Sequence, residues 1–399
     1  MTRQSPKTAA ASCLVLGADA NESLPVIKSL VRHGVAVTAA APRRVSVGLF
    51  SRYPVRRLLY PDPVKRPEEF LDWLECRVQL GEFPVSIVCG EDLTAIVARF
   101  RQRFDPYTSI PIVDHETFRI CRNKANTMRA AMQLGVGIPQ TWFPDDYGIE
   151  CVADEIQGWP VVLKPTESNG ARGIRYPSCR DELIQGYKSL SENFNGVIVQ
   201  EFIPHEGRQY KAELLMGRAG SVLAAGVYDK PRFYPPSGGS STLNCTVDRP
   251  DLVEQARKLL EGIGWFGMAD CDFIEDRRDG RTKLMEVNPR FTRSIKILVE
   301  AGLDFPWMLY QLARNEWVEP SFEYRKGLYM RYLLSDCMWF LRSPDRFTTS
   351  PSFFRFFGRD QCGEIFDWSD PAPSIAHVLG KSMNLFDSRR RQFILRLGN

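Results

Sequence analysis

The stretch that decides the fold is Lys283-Leu284-Met285-Glu286-Val287-Asn288-Pro289-Arg290. It reads as a strand that ends abruptly. Side chains alternate across a strand, so Leu284, Glu286 and Asn288 are expected on one face, with Met285 and Val287 pointing the other way into a core. Pro289 has no N–H to give to a ladder and stops the strand. A carboxylate and an amide oxygen then stand side by side, and a guanidinium follows at once. Hard oxygen donors of this kind suit Mg²⁺, which takes few protein ligands and fills its shell with substrate phosphates. Arg290 can meet the charge that develops on a phosphoryl group in transit. Taken alone, the stretch also reads as an ordinary edge strand with a polar face, and its neighbours decide between the two.

Immediately upstream, residues 267–274 read as a strand, and Asp272 lies 286 − 272 = 14 positions before Glu286. A hairpin through Asp279-Gly280 brings Asp272 opposite Glu286 and Asn288. Further back, Val161-Val162-Leu163-Lys164-Pro165 is a strand with a lysine at its end, closed by proline. The loop Ser168-Asn169-Gly170-Ala171-Arg172-Gly173-Ile174 follows. Such a loop brings backbone N–H groups close to phosphate oxygens, and a nearby lysine adds a point charge. The alternative is a plain hairpin tip, and the stretch is not a Walker loop, since GxxxxGK[ST] is absent. Residues 197–204 form a strand leading into a linker, where Glu201, Ile203 and the local backbone can offer an edge and a face to a flat base. Arg122-Asn123-Lys124 is expected on a helix that continues to Leu134. Residues 210–215 and 222–227 read as strands. Residues 230–242, opening Lys230-Pro231-Arg232, read as a long polar loop of the sort that touches substrate. Pro250 opens a helix over 251–263, where its missing N–H does no harm.

The N-terminal part reads as a parallel α/β layer: a strand at 12–16, a helix at 24–33, and strands at 35–40, 85–89 and 110–113, with a helix at 92–103 and Asp114 as the cap of the next. One early glycine, Gly17, is not a GxGxxG fingerprint. The second strand ends in Arg43-Arg44 where a ribose-binding acid is wanted, so a structural layer is preferred to a nicotinamide site.

With 399 residues, 44% hydrophobic and 25% charged, the chain reads as a soluble protein of several domains. A formal charge of +4 does not argue for nucleic acid. The start is polar, without a signal-peptide pattern, and no run has the length of a membrane span. Ten scattered cysteines with no CxxC pair suit reduced thiols in the cytoplasm.

In this order and spacing the pieces resemble the ATP-grasp superfamily over roughly residues 12–315. The carriers are Lys124, VVLKP ending at Lys164, SNGARGI, VQEFIP, DCDFIE with Asp272, and MEVNPR. After Arg290, Thr292-Arg293-Ser294 and the Ala301–Pro306 segment are similar to the carbamoyl phosphate synthetase large-chain branch and to ATP-grasp carboxylate–amine ligases. The resemblance implies a Rossmann-like pre-ATP-grasp α/β domain at 1–115, an ATP-grasp domain of two subdomains clamping ATP at 116–320, and a C-terminal extension at 321–399. It implies an ATP- and Mg²⁺-dependent ligase joining a carboxylate to an amine through an acyl phosphate. One or two Mg²⁺ are expected, with Mn²⁺ as a substitute. Lys124 and Lys164 would contact phosphates, with Ser168, Gly170 and Gly173 closing over them. Glu201, Phe202 and Ile203 would hold adenine. Asp272, Glu286 and Asn288 would bind metal, and Arg290 would steady the transferred phosphate. The ribose contact falls to Gln209 or Glu206, since Gln209 stands where an acid is common. Lys230, Arg232, Arg293 and Lys296 are candidates for gripping the acceptor carboxylate, or surface charges. The alternatives are a carbamoyl-phosphate-synthetase-like carboxyphosphate former and a nucleotide-binding protein without ligase activity. The expected partners are small-molecule or peptide-like carboxylates and amines, with homo-oligomerisation left open.

Beyond residue 319 the resemblance fades into an aromatic-rich segment containing Ser352-Phe353-Phe354-Arg355-Phe356-Phe357, and the chain ends with Arg389-Arg390-Arg391 and Phe393-Ile394-Leu395. An irregular subdomain packed on the core is preferred here to a surface for a membrane or partner.

Overall fold

The structure is a computed structural model and describes residues 11–168, 172–236 and 239–385. It divides into two compact units. The first is built from the described residues up to Ile112, from Asp304–Glu319, and from Ile365 onward. Its centre is a four-stranded sheet in the order β3-β2-β1-β4, with β1 Ser12–Leu16, β2 Ala36–Ala41, β3 Arg56–Leu59 and β4 Val85–Val88. Every pairing is parallel. β1, β2 and β4 are almost continuously apolar and buried, as strands covered on both faces must be. Leu14, Leu16, Phe70, Leu74 and Phe104 pack the core beside them.

Two sequence expectations fail in this sheet. Residues 110–113 are not a strand: Pro111 gives no ladder N–H, and only Ser109 bridges to Val85. β4 is the edge on that side, and the opposite edge is β3, Arg-Arg-Leu-Leu, a short strand with both arginines exposed, which blunts the open edge and hides the strand from an alternation count. The expected helix at 92–103 is Glu91–Arg99 followed by a 3₁₀ turn, Arg101–Arg103. Gly17 has φ +77°, and a Cβ there would lie 2.0 Å from the Cys89 carbonyl oxygen. This glycine serves the close packing of two strand ends.

The second unit takes Val113–Leu303 and Pro320–Glu364. It holds two sheets. The smaller is antiparallel, ordered β5-β7-β6, with β5 Thr141–Trp142, β6 Val161–Pro165 and β7 Val197–Glu201. Helices Ile149–Glu155 and Arg180–Ser191 cover it through Val152, Leu163, Leu183 and Val199. The larger sheet runs β12-β11-β8-β9-β10-β13-β14. Its strands are β8 Gln209–Met216, β9 Val222–Tyr234, β10 Ser240–Val247, β11 Gly267–Asp276, β12 Arg281–Asn288, β13 Tyr329–Arg331 and β14 Gln361–Gly363.

The expected loop at 230–242 is mostly sheet. β9 runs through Lys230-Pro231-Arg232 and pairs with β10, and the register slips around Pro231, a bulge that spares proline a ladder bond. In the β11–β12 hairpin Asp272 pairs with Glu286 and Asp270 with Asn288. A further slip sets Phe273 against Leu284 and leaves Met285 over. The strict alternation expected of residues 284–288 is therefore broken: Leu284 and Val287 are buried, while Met285 is only partly so. Among the described residues no helix is long and apolar enough to cross a membrane.

Candidate functional site

Lys124 does not ride on one continuous helix. Helix His115–Arg122, capped by the Asp114 side chain, ends at Asn123. Asn123 is extended and its side chain accepts from the Asn126 N–H, so Lys124 is the first residue of a second helix, Lys124–Gln133. The Lys124 backbone N–H donates to the Thr166 carbonyl at 2.8 Å. Its Nζ donates to the Ser168 carbonyl at 2.9 Å and stands 3.3 Å from Glu286 Oε2. The helix break thus aims one cation at both the loop after β6 and the end of β12.

Lys164, at the end of β6, is buried and donates 2.7 Å to Gln200 Oε1 on β7. Gln200 is oriented in turn by donating 2.9 Å to Thr141 Oγ1. Burial pushes the Lys164 ammonium down to about 8; Glu286 opposes the shift and Lys124 adds to it. Lys124, Lys164 and Glu286 therefore form one electrostatic group. Gly173 has φ +78°, and a Cβ there would meet the Pro165 and Phe194 side chains at 2.8 and 3.0 Å. Gly170 lies outside the described residues.

The Glu201 carboxylate is committed to protein partners. It accepts from the Gln140 N–H at 3.0 Å, from Lys283 Nζ at 2.8 Å and from Arg278 at 2.8 Å. Ile203 is buried, and the Phe202 ring stands edge-on to Tyr176 and His205. Gln209 lies 3.4 Å from His205 Nδ1, and Glu206 is exposed.

On the larger sheet Asp272 sits in a knot of charge. Lys230 binds one of its oxygens; Lys211, at 2.9 Å, and the Asn288 amide, at 3.1 Å, bind the other. Burial would raise the Asp272 carboxyl, but Lys211 and Lys230 overcome it and bring it down to about 2. Asp270, one pleat along, is paired with Lys211 and lies 3.4 Å from the Asn288 amide, yet burial keeps its carboxyl above the usual range. Glu213, directly opposite Asp270 in the ladder, is pushed up to about 8 by burial and by the Asp270 charge. Tyr228 and Thr292 donate to one of its oxygens at 2.8 and 3.0 Å. Among the described residues its other oxygen has no hydrogen-bond partner.

Asp270, Lys211, Glu213 and Gln200 were not foreseen from the sequence. The available signal was the spacing of two in Asp270-x-Asp272 and Lys211-x-Glu213, which acquires meaning only once β8 and β11 are paired. Of the candidate carboxylate grips, Lys230 is on Asp272, Arg293 is 2.7 Å from Glu364, and Lys296 is buried. Arg232 is neither a grip nor a surface charge: it is 1% exposed and bound to Asp336 at 2.8 Å. Arg290 donates to the Phe291 carbonyl at 3.3 Å, and its backbone N–H closes a turn onto Asn288.

Asp272, Glu286 and Asn288 lie on paired strands and are of the hard-oxygen type that suits Mg²⁺, with the Asp272 oxygens held by Lys230, Lys211 and the Asn288 amide. Among the described residues no group of three or more His, Cys, Asp or Glu is gathered to hold a metal unaided. Such a site suits an ion that completes its shell with phosphate oxygens.

Residues 121–294 match the family model of an ATP-grasp domain. D-alanine–D-alanine ligase B of Pseudomonas syringae pv. tomato is 25% identical over 191 residues, 46% of this chain and 58% of that protein. The chain spans about three fifths of the length of the first two curated relatives it matches, 58% and 65%. The structure is similar to N5-carboxyaminoimidazole synthetase from Staphylococcus aureus, with TM-score 0.65 and 15% identity, covering 81% of this chain and 82% of that one. It is also similar to the biotin carboxylase domain of the Hydrogenobacter thermophilus 2-oxoglutarate carboxylase, solved with MgADP, ADP and bicarbonate. There the TM-score is 0.64 at 18% identity, covering 80% and 73% of the two chains. At these identities the likeness establishes a shared fold.

Proposed function

We propose, with the chain's ATP-grasp domain as the premise, that this protein uses ATP to join a carboxylate to an amine. The observation that carries the reading is the convergence of Lys124, Lys164 and Glu286, two cations and a metal-competent carboxylate in one group. The ammonium groups of Lys124 and Lys164 would take the ATP phosphates, with Ser168 and Gly173 beside them. Adenine would lie along the backbone at Phe202-Ile203, with the Glu201 side chain held aside by Lys283 and Arg278. Gln209 or Glu206 would meet the ribose. Asp272, Glu286 and Asn288 would hold Mg²⁺, which supplies positive charge to the phosphate oxygens when bound.

The chemistry asks the protein for positioning and charge. An acceptor carboxylate oxygen bonds to the γ-phosphorus as the bond to the ADP oxygen breaks. The amine nitrogen then bonds to the acyl carbon, its proton passes to solvent, and the phosphate oxygen leaves. Lys164 and Arg290 would be the catalytic cations, meeting charge on the phosphoryl group as it moves. The D-alanine ligase relative supports small carboxylate and amine substrates. Ten unpaired cysteines support a reducing compartment, the cytoplasm.

The test is ADP release from MgATP with pools of carboxylic acids, with and without amines, and with bicarbonate alone. Release stimulated by an organic acid supports a ligase. Release stimulated only by bicarbonate would make the protein a carboxyphosphate former. ATP binding without stimulated release from any pool would leave a nucleotide-binding protein.

A further inference from the structure

Helix Leu333–Arg342 is amphipathic, and its polar anchor is on the buried side. Asp336 and Trp339 are buried there, while Leu333, Leu334, Cys337 and Leu341 form an exposed stripe at helical spacing. Leu341 is 75% exposed. The chain beyond adds Phe347, Phe354 and Phe357, exposed by 69%, 60% and 84%. These are not loose side chains. Phe340 lies 5.5 Å from both Phe347 and Phe354, and buried Phe353 stacks beneath it at 4.2 Å. Phe347 and Phe354, clustered on Phe340 and exposed, make an apolar surface of the kind that marks an interaction site.

Its charge says what kind. Residues 341–360 contain four arginines, Arg342, Arg346, Arg355 and Arg359, against two acids, Asp345 and Asp360, a surplus of 4 − 2 = 2 positive charges. Asp360 is already held by Arg355 at 2.6 Å. The Arg346 guanidinium lies over the Phe347 ring at 5.3 Å. A surplus of positive charge on an apolar patch is complementary to an anionic surface. Here the phenylalanines are interrupted by arginine, as in Phe353-Phe354-Arg355-Phe356-Phe357-Gly358-Arg359. A headgroup layer accommodates that alternation: aromatic and leucine side chains enter the acyl boundary while guanidinium groups stay at the lipid phosphates.

We propose that residues 333–359 seat the protein on the surface of an anionic bilayer, with Leu341, Phe347, Phe354 and Phe357 inserted and Arg346 and Arg359 on lipid phosphates. The proposal does not depend on the ligase reading.

The experiment is flotation of the full chain with vesicles of phosphatidylcholine alone and of phosphatidylcholine with phosphatidylglycerol, at low and high salt. The expected result is binding to the anionic vesicles only, weakened by salt. Arg346→Glu and Arg359→Glu should each weaken it roughly fivefold or more. Phe347→Ser/Phe354→Ser/Phe357→Ser should abolish it; those side chains are exposed, so ATP binding in solution should be unchanged. No flotation with either vesicle would overturn the proposal, and so would flotation that the triple variant retains. Vesicle-independent self-association lost in the triple variant would assign the face to a second copy instead.

Discussion

Lys164 is the residue whose charge is most at stake. Its ammonium titrates at about 8 in the ligand-free protein because burial costs it more than Glu286 returns. A polyphosphate beside it raises that value again, so ATP binding above neutral pH should take up protons. At half a unit above 8, calorimetry in buffers of different ionisation enthalpy should read roughly three quarters of a proton per ATP, and Lys164→Met should remove the uptake and weaken binding. Equal uptake by wild type and variant would take Lys164 out of the phosphate site. Asp272 makes a second prediction. Both its oxygens are occupied, by Lys230 and by Lys211 with Asn288. A divalent cation entering there must displace an ammonium. Lys230→Met should therefore tighten Mn²⁺ binding, roughly tenfold for one charge-assisted hydrogen bond removed. Unchanged Mn²⁺ affinity would place the metal elsewhere. Lys124, Lys164 and Glu286, singled out in the sequence, are brought into one electrostatic group, and Asp272 and Asn288 pair on neighbouring strands. Asp270, Lys211 and Glu213 were not singled out, because Lys211 meets Asp270 across a separation of 59 residues that only strand pairing closes.

At the scale of elements, the misreadings share a cause: one residue that breaks a period. Met285 is the extra residue in the β11–β12 slip, and it undoes the two-residue alternation expected of the Leu284–Asn288 run. Asn123 interrupts a helical pattern and becomes a cap. Pro231 made Lys230–Thr242 look like loop, whereas a bulge lets β9 carry it. That longer β9 places Arg232 against Asp336 of helix Leu333–Arg342, with both side chains almost fully buried. Arg331 also reaches Asp336, at 3.3 Å. Asp336→Ala would leave two arginines without their acid and should destabilise the fold by about 3–5 kcal/mol in urea unfolding. Arg232→Met, which leaves Arg331 to neutralise Asp336, should cost clearly less. Equal losses would mean that Arg331 does not share the charge.

For the whole molecule, composition pointed to a globular protein, and the order of short motifs led to the fold. Each motif alone was weak; their order along one chain was not. The grouping of residues beyond 319 was less legible. Residues 320–364 belong to the second unit and those from Ile365 to the first, a division set by tertiary contacts and not by local pattern. The exposed apolar face of helix Leu333–Arg342 escaped for the same reason: an amphipathic pattern does not say which face the core takes.

The central claim is that a carboxylate becomes an acyl phosphate in the group formed by Lys124, Lys164 and Glu286. Hydroxylamine traps such a species as a hydroxamate. Incubating the protein with MgATP, hydroxylamine and pools of carboxylic acids should give equal amounts of hydroxamate and phosphate from one pool. Glu286→Ala, half-exposed and so tolerant of the change, should stay folded and give at least a hundredfold less, roughly the loss expected when a transition-state charge contact is removed. Hydroxamate formed equally well by Glu286→Ala, or phosphate release with no hydroxamate from any pool, would contradict the account.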